Sequence, residues 1–165
     1  VVLAADGVRV SLQEEDGTLA PAGGEPALKA FGHGDQAGGW MTDKHPRFLA
    51  DTTGNGRLDI VGCHDDGVWI SLQDEDGGFA EPLYVLDDFG TDQGWASAEE
   101  HPRFLLKTTG DGATDIVGFG PHGRRRRTRT RRRHLRVPEA RPERLRHRPG
   151  MDGREAPALP RRRHR

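Results

Sequence analysis

Apolar residues in this chain come in short runs cut by glycine, aspartate and asparagine. Phe48-Leu49, Leu58 to Val61, Val68 to Ile70 with Leu72, and Tyr84 to Leu86 are bounded by turn signals such as Asp66-Gly67 and Asp76-Gly77-Gly78. Short runs of β-branched and aromatic residues between turn formers predict strands, and no stretch places apolar residues at the spacing of a helix face. The pattern predicts an all-β protein.

The runs also repeat. His45 to Gly62 reads HPRFLADTTGNGRLDIVG and His101 to Gly118 reads HPRFLLKTTGDGATDIVG, an offset of 56 residues. The segments in front recur as well: Ala30 to Trp40 (AFGHGDQAGGW) resembles Asp88 to Trp95 (DFGTDQGW), and Asp6 to Ala20 matches Asp66 to Ala80. A unit of this length with four predicted strands is slightly longer than the roughly 40–50-residue period of a propeller blade. A sandwich would not require a near-identical loop in every unit. The expected architecture is a partial β-propeller of about two four-stranded blades. Residues 1–44 read as the end of one blade plus a connecting loop, 45–100 as a complete repeat and 101–123 as the start of the next. Rings close with about 4–8 blades, so the chain is expected to be a fragment whose partners include the missing blades of the same propeller.

Composition changes the picture at one end. The formal charge of -1 conceals 7 basic against 22 acidic residues in 1–123 and 18 basic, all arginine, against 4 acidic in 124–165. Taken literally, the arginine-rich segment is a disordered polycation that attracts nucleic acid without sequence preference. A one-base shift of GC-rich codons gives another reading. Glu155 to Arg165 becomes Lys-His-Pro-Arg-Phe-Leu-Ala-Asp-Val-Thr, and Arg144 to Met151 becomes Asp-Phe-Gly-Thr-Asp-Gln-Gly-Trp, both at the position the repeat demands. Residues 124–165 therefore read as an out-of-frame, disordered tail, and no specific nucleic-acid partner is expected. No run approaches the ~18 apolar residues of a membrane helix, so no membrane partner is expected either.

Candidate chemistry sits in the repeat. Asp51, Thr53, Asn55 and Asp59 put side-chain oxygens at alternate or near-alternate loop positions, and with the Arg57 carbonyl they form a hard-oxygen set suited to calcium. The alternative is that these residues shape the turn through side-chain-to-backbone hydrogen bonds. In the second copy Lys107 replaces the first carboxylate, and a single competent loop is expected. Trp40 and Trp95 follow glycines, Trp69 lies on a predicted strand, and His45 and His101 open the Pro-Arg motif. An indole stacks on the apolar face of a sugar while nearby polar groups bind its hydroxyls; the alternative is that Trp and His are wedges between blades. No nucleophile, base and acid recur together, so no enzymatic activity is expected. Cys63 reads as a buried thiol, and Gly118-Phe119-Gly120 reads as a turn or bulge.

The segments GGWMTDKHPRFLADTTGNGRLDIVG and DGVWISLQDEDGGFAEPLYVLDDFGTDQGW resemble the repeats of the Psathyrella velutina lectin family, fungal seven-bladed propellers with bacterial relatives carrying VCBS or FG-GAP-type repeats. The resemblance implies calcium in some blade loops, at Asp51, Thr53, Asn55, Arg57 and Asp59. It also implies glycan ligands of the N-acetylglucosamine or sialic acid type between adjacent blades, near Trp40, His45, Trp69, Trp95 and His101. The expected function is that of a secreted, carbohydrate-binding lectin. The alternative is a non-lectin structural or interaction module of a larger secreted protein.

Overall fold

The structure, a computed structural model, describes residues 1–108, 114–121 and 128–135. Its strands are β1 (Val2–Leu3), β2 (Val8–Arg9), β3 (Arg47–Ala50), β4 (Asp59–Cys63), β5 (Val68–Ser71), β6 (Leu83–Leu86), β7 (Arg103–Leu106), β8 (Asp115–Pro121) and β9 (Thr128–His134). There is no α-helix among the described residues; single 3-10 turns lie at Asp35–Ala37 and Thr91–Gln93. The fold is all-β, as the sequence pattern predicts.

The strands form three antiparallel sheets, β1-β2, β3-β4-β5-β6 and β7-β8-β9, each with neighbours in chain order. The middle sheet is a four-stranded meander built from the four predicted runs. Its one irregularity is a register shift at Val68/Trp69, between β5 and β6. Leu58, predicted as strand, stays outside β4 and is exposed.

Every residue of β4 is buried, which explains its uninterrupted apolar text. Successive side chains of a strand point to opposite faces. Ile60 belongs to a cluster with Val8, Leu28, Phe31 and Trp40, on the side of residues 1–44. Val61 and Cys63 belong to another with Phe89, Trp95, Ile116 and Leu135, on the side of the second repeat. The middle sheet is thus covered on both faces, and the two cores are its two sides.

Each core is closed by the same device. Phe31 and Trp40 lie with ring centroids 4.8 Å apart at 36°, and Phe89 and Trp95 repeat this at 4.8 Å and 35°. The far edge of each indole rests on a strand glycine. A Cβ on Gly62 would stand 2.5 Å from Trp40 Cη2, and one on Gly118 would stand 2.5 Å from Trp95 Cη2. Phe31 and Phe89 both hold positive φ, 57° and 65°, an uncommon conformation for a bulky residue. Both rings are fully buried, and both carbonyls accept from an arginine, Arg47 Nη1 at 2.7 Å and Arg103 Nη1 at 2.8 Å.

The chain from Asp88 onward, the second copy of the Phe-Gly to Asp-Ile-Val-Gly text and called the second repeat from here on, reaches back to the segment before it through hydrogen bonds. Arg103 Nη2 donates to the Lys44 carbonyl at 3.0 Å, Ala98 N to Asp43 O at 2.7 Å, Asp92 N to Asp65 O at 2.9 Å and Thr114 Oγ1 to Asp51 O at 2.8 Å. Arg103 is buried and ringed by the carbonyls of Phe89, Trp95, Ser97 and Lys44. A guanidinium stays charged, and these four oxygens replace its water.

The arginine-rich segment, expected to lack structure, falls mostly outside the described residues, at 124–127 and 136–165. The exception is Thr128–His134, which pairs along the whole of β8, with Leu135 buried in the second core. Its register differs from that of the middle sheet: Ile60 faces Ser71, whereas Ile116, its counterpart, faces Arg133. Gly118 to Gly120, expected as a turn or bulge, continue β8 as regular strand. Positions 118 and 120 are glycines because the Trp95 ring leaves no room for a Cβ at Gly118, and little at Gly120.

Overpacking a full core costs about 1–3 kcal/mol. Gly62→Ala is therefore expected to destabilise the chain by about that amount in urea unfolding, since neither Trp40 nor the strand backbone has space to yield. Unchanged stability would show that the indole does not rest on β4 as described.

Candidate functional site

A cavity of about 400 Å³ opens between residues 29–40 and the middle sheet. Phe31, Trp40 and Trp69 line it with aromatic carbon, and Lys29, His64 and Glu81 bring polar groups to it. Ala30, Ala37, Gly38 and Pro82 complete its walls. Its size is within the roughly 300–1,000 Å³ of small-molecule sites, and its balance of aromatic surface with few polar groups is typical of them.

Each aromatic is held by a named partner. Trp69, on β5 and partly exposed, donates Nε1–H to Asp66 Oδ1 at 2.9 Å, and its ring meets Tyr84 edge-on at 5.2 Å. Tyr84 in turn donates its hydroxyl to Asp66 O at 2.9 Å. Trp40 is 6% exposed, with His64 at 4.6 Å between ring centroids and Arg47 placed over its ring at 6.0 Å. His64 occupies the position where the second repeat has Gly120, and its Nε2 donates to Gly38 O at 3.1 Å.

His45 lies beneath the cavity at 2% exposure. Met41 N–H donates to its Nδ1 at 3.0 Å, so the ring proton resides on Nε2 and is donated to Asp65 Oδ1 at 2.9 Å. Thr91 of the second repeat donates its hydroxyl to the same oxygen. These two donors, Thr91 first, hold the Asp65 carboxyl below its usual range. Burial holds the His45 imidazole below its ordinary 6.5, against the opposing pull of Asp65.

His45, His64 and Asp65 bring ligand atoms within 4.8 Å of one another, close enough for a metal ion. Their hydrogen bonds do not suit one. Met41 N–H occupies the lone pair of His45 Nδ1 and the proton sits on Nε2, so a metal there would require an imidazolate or loss of the Met41 bond. His64 donates Nε2–H to Gly38 O and so keeps its Nδ1 lone pair, which leaves His45 as the obstacle. The trio joins the two repeats and is no metal centre in this arrangement.

The Asp51 loop shows a different chemistry. Asp51 Oδ1 accepts from Gly54 N at 2.7 Å and Asn55 N at 3.1 Å, and Oδ2 from Gly56 N at 2.9 Å. These amides lower the pKa of its carboxyl, Gly56 most. Asn55 Oδ1 accepts from Arg57 N at 2.8 Å. Asp59 is fully buried: its Oδ2 accepts from Thr52 N at 3.0 Å and the Thr52 hydroxyl, and its Oδ1 from Gln73 N at 3.0 Å. Thr108 and Asp115 repeat the first of these contacts, at 3.0 Å. In the described geometry Asp51 and Asn55 shape the turn, Thr53 is exposed, and Asp59 anchors the loop to Gln73, beyond the end of β5. Most of the Lys107 loop lies outside the described residues.

Of the five residues expected at a sugar site, Trp40 and Trp69 meet at the cavity. His45, Trp95 and His101 are buried as inter-repeat wedges, at 2%, 5% and 9% exposure. Lys29, Ala30, Gly38, His64 and Glu81 were not singled out by the sequence pattern as site residues. The available signal was their departure from the second copy, where Asp88 and Gly120 stand in place of Ala30 and His64. Cys63 is a buried thiol whose pKa burial pushes up to about 12, which makes it unreactive.

No protein-family model matches the chain, and no curated protein matches it. A solved structure of a lectin from Agrocybe aegerita, described as specific for non-reducing terminal N-acetylglucosamine, is similar to it at 46% sequence identity and a TM-score of 0.65. The match covers 72% of this chain and 29% of the lectin, so the chain spans under a third of that protein's length. The fold is thus similar to that of a lectin.

The depressed pKa of His45 has a definite sign. As pH falls the unfolded chain takes up its imidazole proton first, so this contribution is complete above 6.5 and is lost as the pH falls through the lower, folded value. The unfolding temperature is expected to drop as the pH falls below about 6.5, and the drop to be shallower in His45→Gln. Equal slopes in the two proteins would remove His45 as its source.

Proposed function

We propose that the chain is part of a carbohydrate-binding β-propeller and that its cavity takes the terminal sugar of an N-acetylglucosamine-type glycan. The supporting observation is the 46% identity with a lectin that recognises that sugar, together with a cavity lined by two tryptophans. The partly exposed Trp69 supplies a flat apolar face, and His64, Lys29 and Glu81 supply groups for hydroxyls. Sialic acid is a second glycan of the same proposal, with Lys29 as its charge partner. The meander of four strands, repeated in part at an offset of 56 residues, suits a blade, and the remaining blades would come from further repeats. Secretion belongs to the same proposal, since terminal glycans are displayed outside cells.

One observation favours the non-lectin scaffold instead. Trp95, His101 and His45 are buried, so part of the repeated aromatic pattern is explained by packing alone. Isothermal titration with N-acetylglucosamine separates the two. Saturable binding is expected, and Trp69→Ala is expected to weaken it by about tenfold or more, a loss of ~1.4 kcal/mol. Absence of binding to N-acetylglucosamine and to sialic acid would leave the scaffold reading.

For calcium we propose the Asp51 loop, with Asp51, Thr53, Asn55 and the Arg57 carbonyl as ligands and Asp59 as a fifth ligand that also anchors the loop. Asp51 Oδ1 accepts two backbone amides, whereas Oδ2 accepts one and keeps a further lone pair for an ion. Millimolar calcium is expected to raise the unfolding temperature, and Asp51→Asn to remove the rise. An unaltered temperature rules out occupancy.

A further inference from the structure

The two wedge tryptophans differ in one respect. Trp95 Nε1 donates to Asp88 Oδ1 at 3.3 Å, so its polar edge is closed off inside the protein. Asp88 immediately precedes the phenylalanine of positive φ; in the first copy that place is taken by Ala30. An alanine methyl accepts no hydrogen bond. Trp40 Nε1 makes none with any described residue, yet the polar atoms sealed from solvent without a partner are His101 Nδ1 and Arg103 Nε. The indole N–H of Trp40 therefore still reaches open space.

The space it reaches is the cavity. The opposite edge of the ring rests on Gly62, whereas the Nε1 edge adjoins Gly38, where a Cβ would stand 2.8 Å away. Gly38 and Ala30 both line the cavity. His64, the second departure from the repeat, donates to Gly38 O and holds that glycine beside the indole.

We propose that Trp40 Nε1–H is a ligand-binding donor, uncovered by Ala30, and that it binds the acetamido carbonyl of an amino sugar in the cavity. Among the oxygens of such a sugar the amide carbonyl is a strong neutral acceptor, and its methyl group suits the surrounding Ala30, Phe31 and Pro82. The equivalent indole donor of the second copy is taken by Asp88. The proposal rests on the carbohydrate-binding reading of the cavity.

The test uses ¹⁵N-labelled full chain, whose 3 tryptophans give separate indole N–H signals. In the free protein the Trp40 indole hydrogen is expected to exchange with solvent faster than that of Trp95. N-acetylglucosamine is expected to shift it saturably, and glucose, which lacks the acetamido group, to bind about tenfold more weakly. Ala30→Asp, which restores the pairing seen in the second repeat, is expected to slow exchange at Trp40 and weaken N-acetylglucosamine binding by about tenfold without lowering the unfolding temperature. Saturable shifts at Trp69 with Trp40 unmoved, or a free-state Trp40 hydrogen as protected as that of Trp95, would overturn the donor role while the cavity reading stands. No saturable shift at any indole would overturn both. The exchange and titration arms need no variant, so they decide the matter even if Ala30→Asp fails to fold.

Discussion

The structure depends on a bare strand backbone meeting a flat indole. Gly62 and Gly118 give Trp40 and Trp95 a surface on which no side chain intervenes, and a methyl group at either place would stand within 2.5 Å of the ring. From that contact follow the buried phenylalanine under each indole and the histidine edge-on to it, at 5.9 Å for Trp40 and 6.3 Å for Trp95. The positive φ of Phe31 and Phe89 turns the chain so that ring and carbonyl serve two purposes, apolar packing and acceptance from an arginine. The conformational strain, of order 1–3 kcal/mol, is offset by burying a phenylalanine side chain, of similar size.

The same wedge makes the cavity. Because the first copy uses Ala30 and His64 where the second uses Asp88 and Gly120, one wedge keeps an open polar edge beside a lined space and the other is sealed by a carboxylate. Packing and recognition thus share one set of side chains. That overlap is why the aromatic residues read equally well as core or as site before their surroundings are known.

Much of the fold was legible because its determinants are local or periodic. The four runs of the middle sheet are bounded by turn formers, and the offset of 56 residues reappears between β3 and β7 and between β4 and β8. The glycines of β8 misled, because a glycine in a strand signals either a turn or a close approach, and the approaching Trp95 comes from a separate stretch of chain. The Asp51 loop was legible as a shape, and the structure adds that Asp59, the last oxygen of the spacing, also accepts from Thr52 and from Gln73, the latter supplied by the next hairpin. The segment Thr128–His134 pairs through backbone groups, which a side-chain pattern of arginine and threonine does not advertise.

By itself the sequence determined the all-β class, the repeat, the strand runs and the residue types able to stack on or coordinate a ligand, since each follows from spacing along the chain. Tertiary structure alone decided which tryptophans reach a cavity. His45, Trp95 and His101 are buried between the copies, and Trp40 and Trp69 line the described cavity with Lys29, Ala30, Gly38 and His64. Exposure of an indole edge is set by which residue of another segment stands beside it, and an alanine or an aspartate at that place reverses the answer without altering any local pattern.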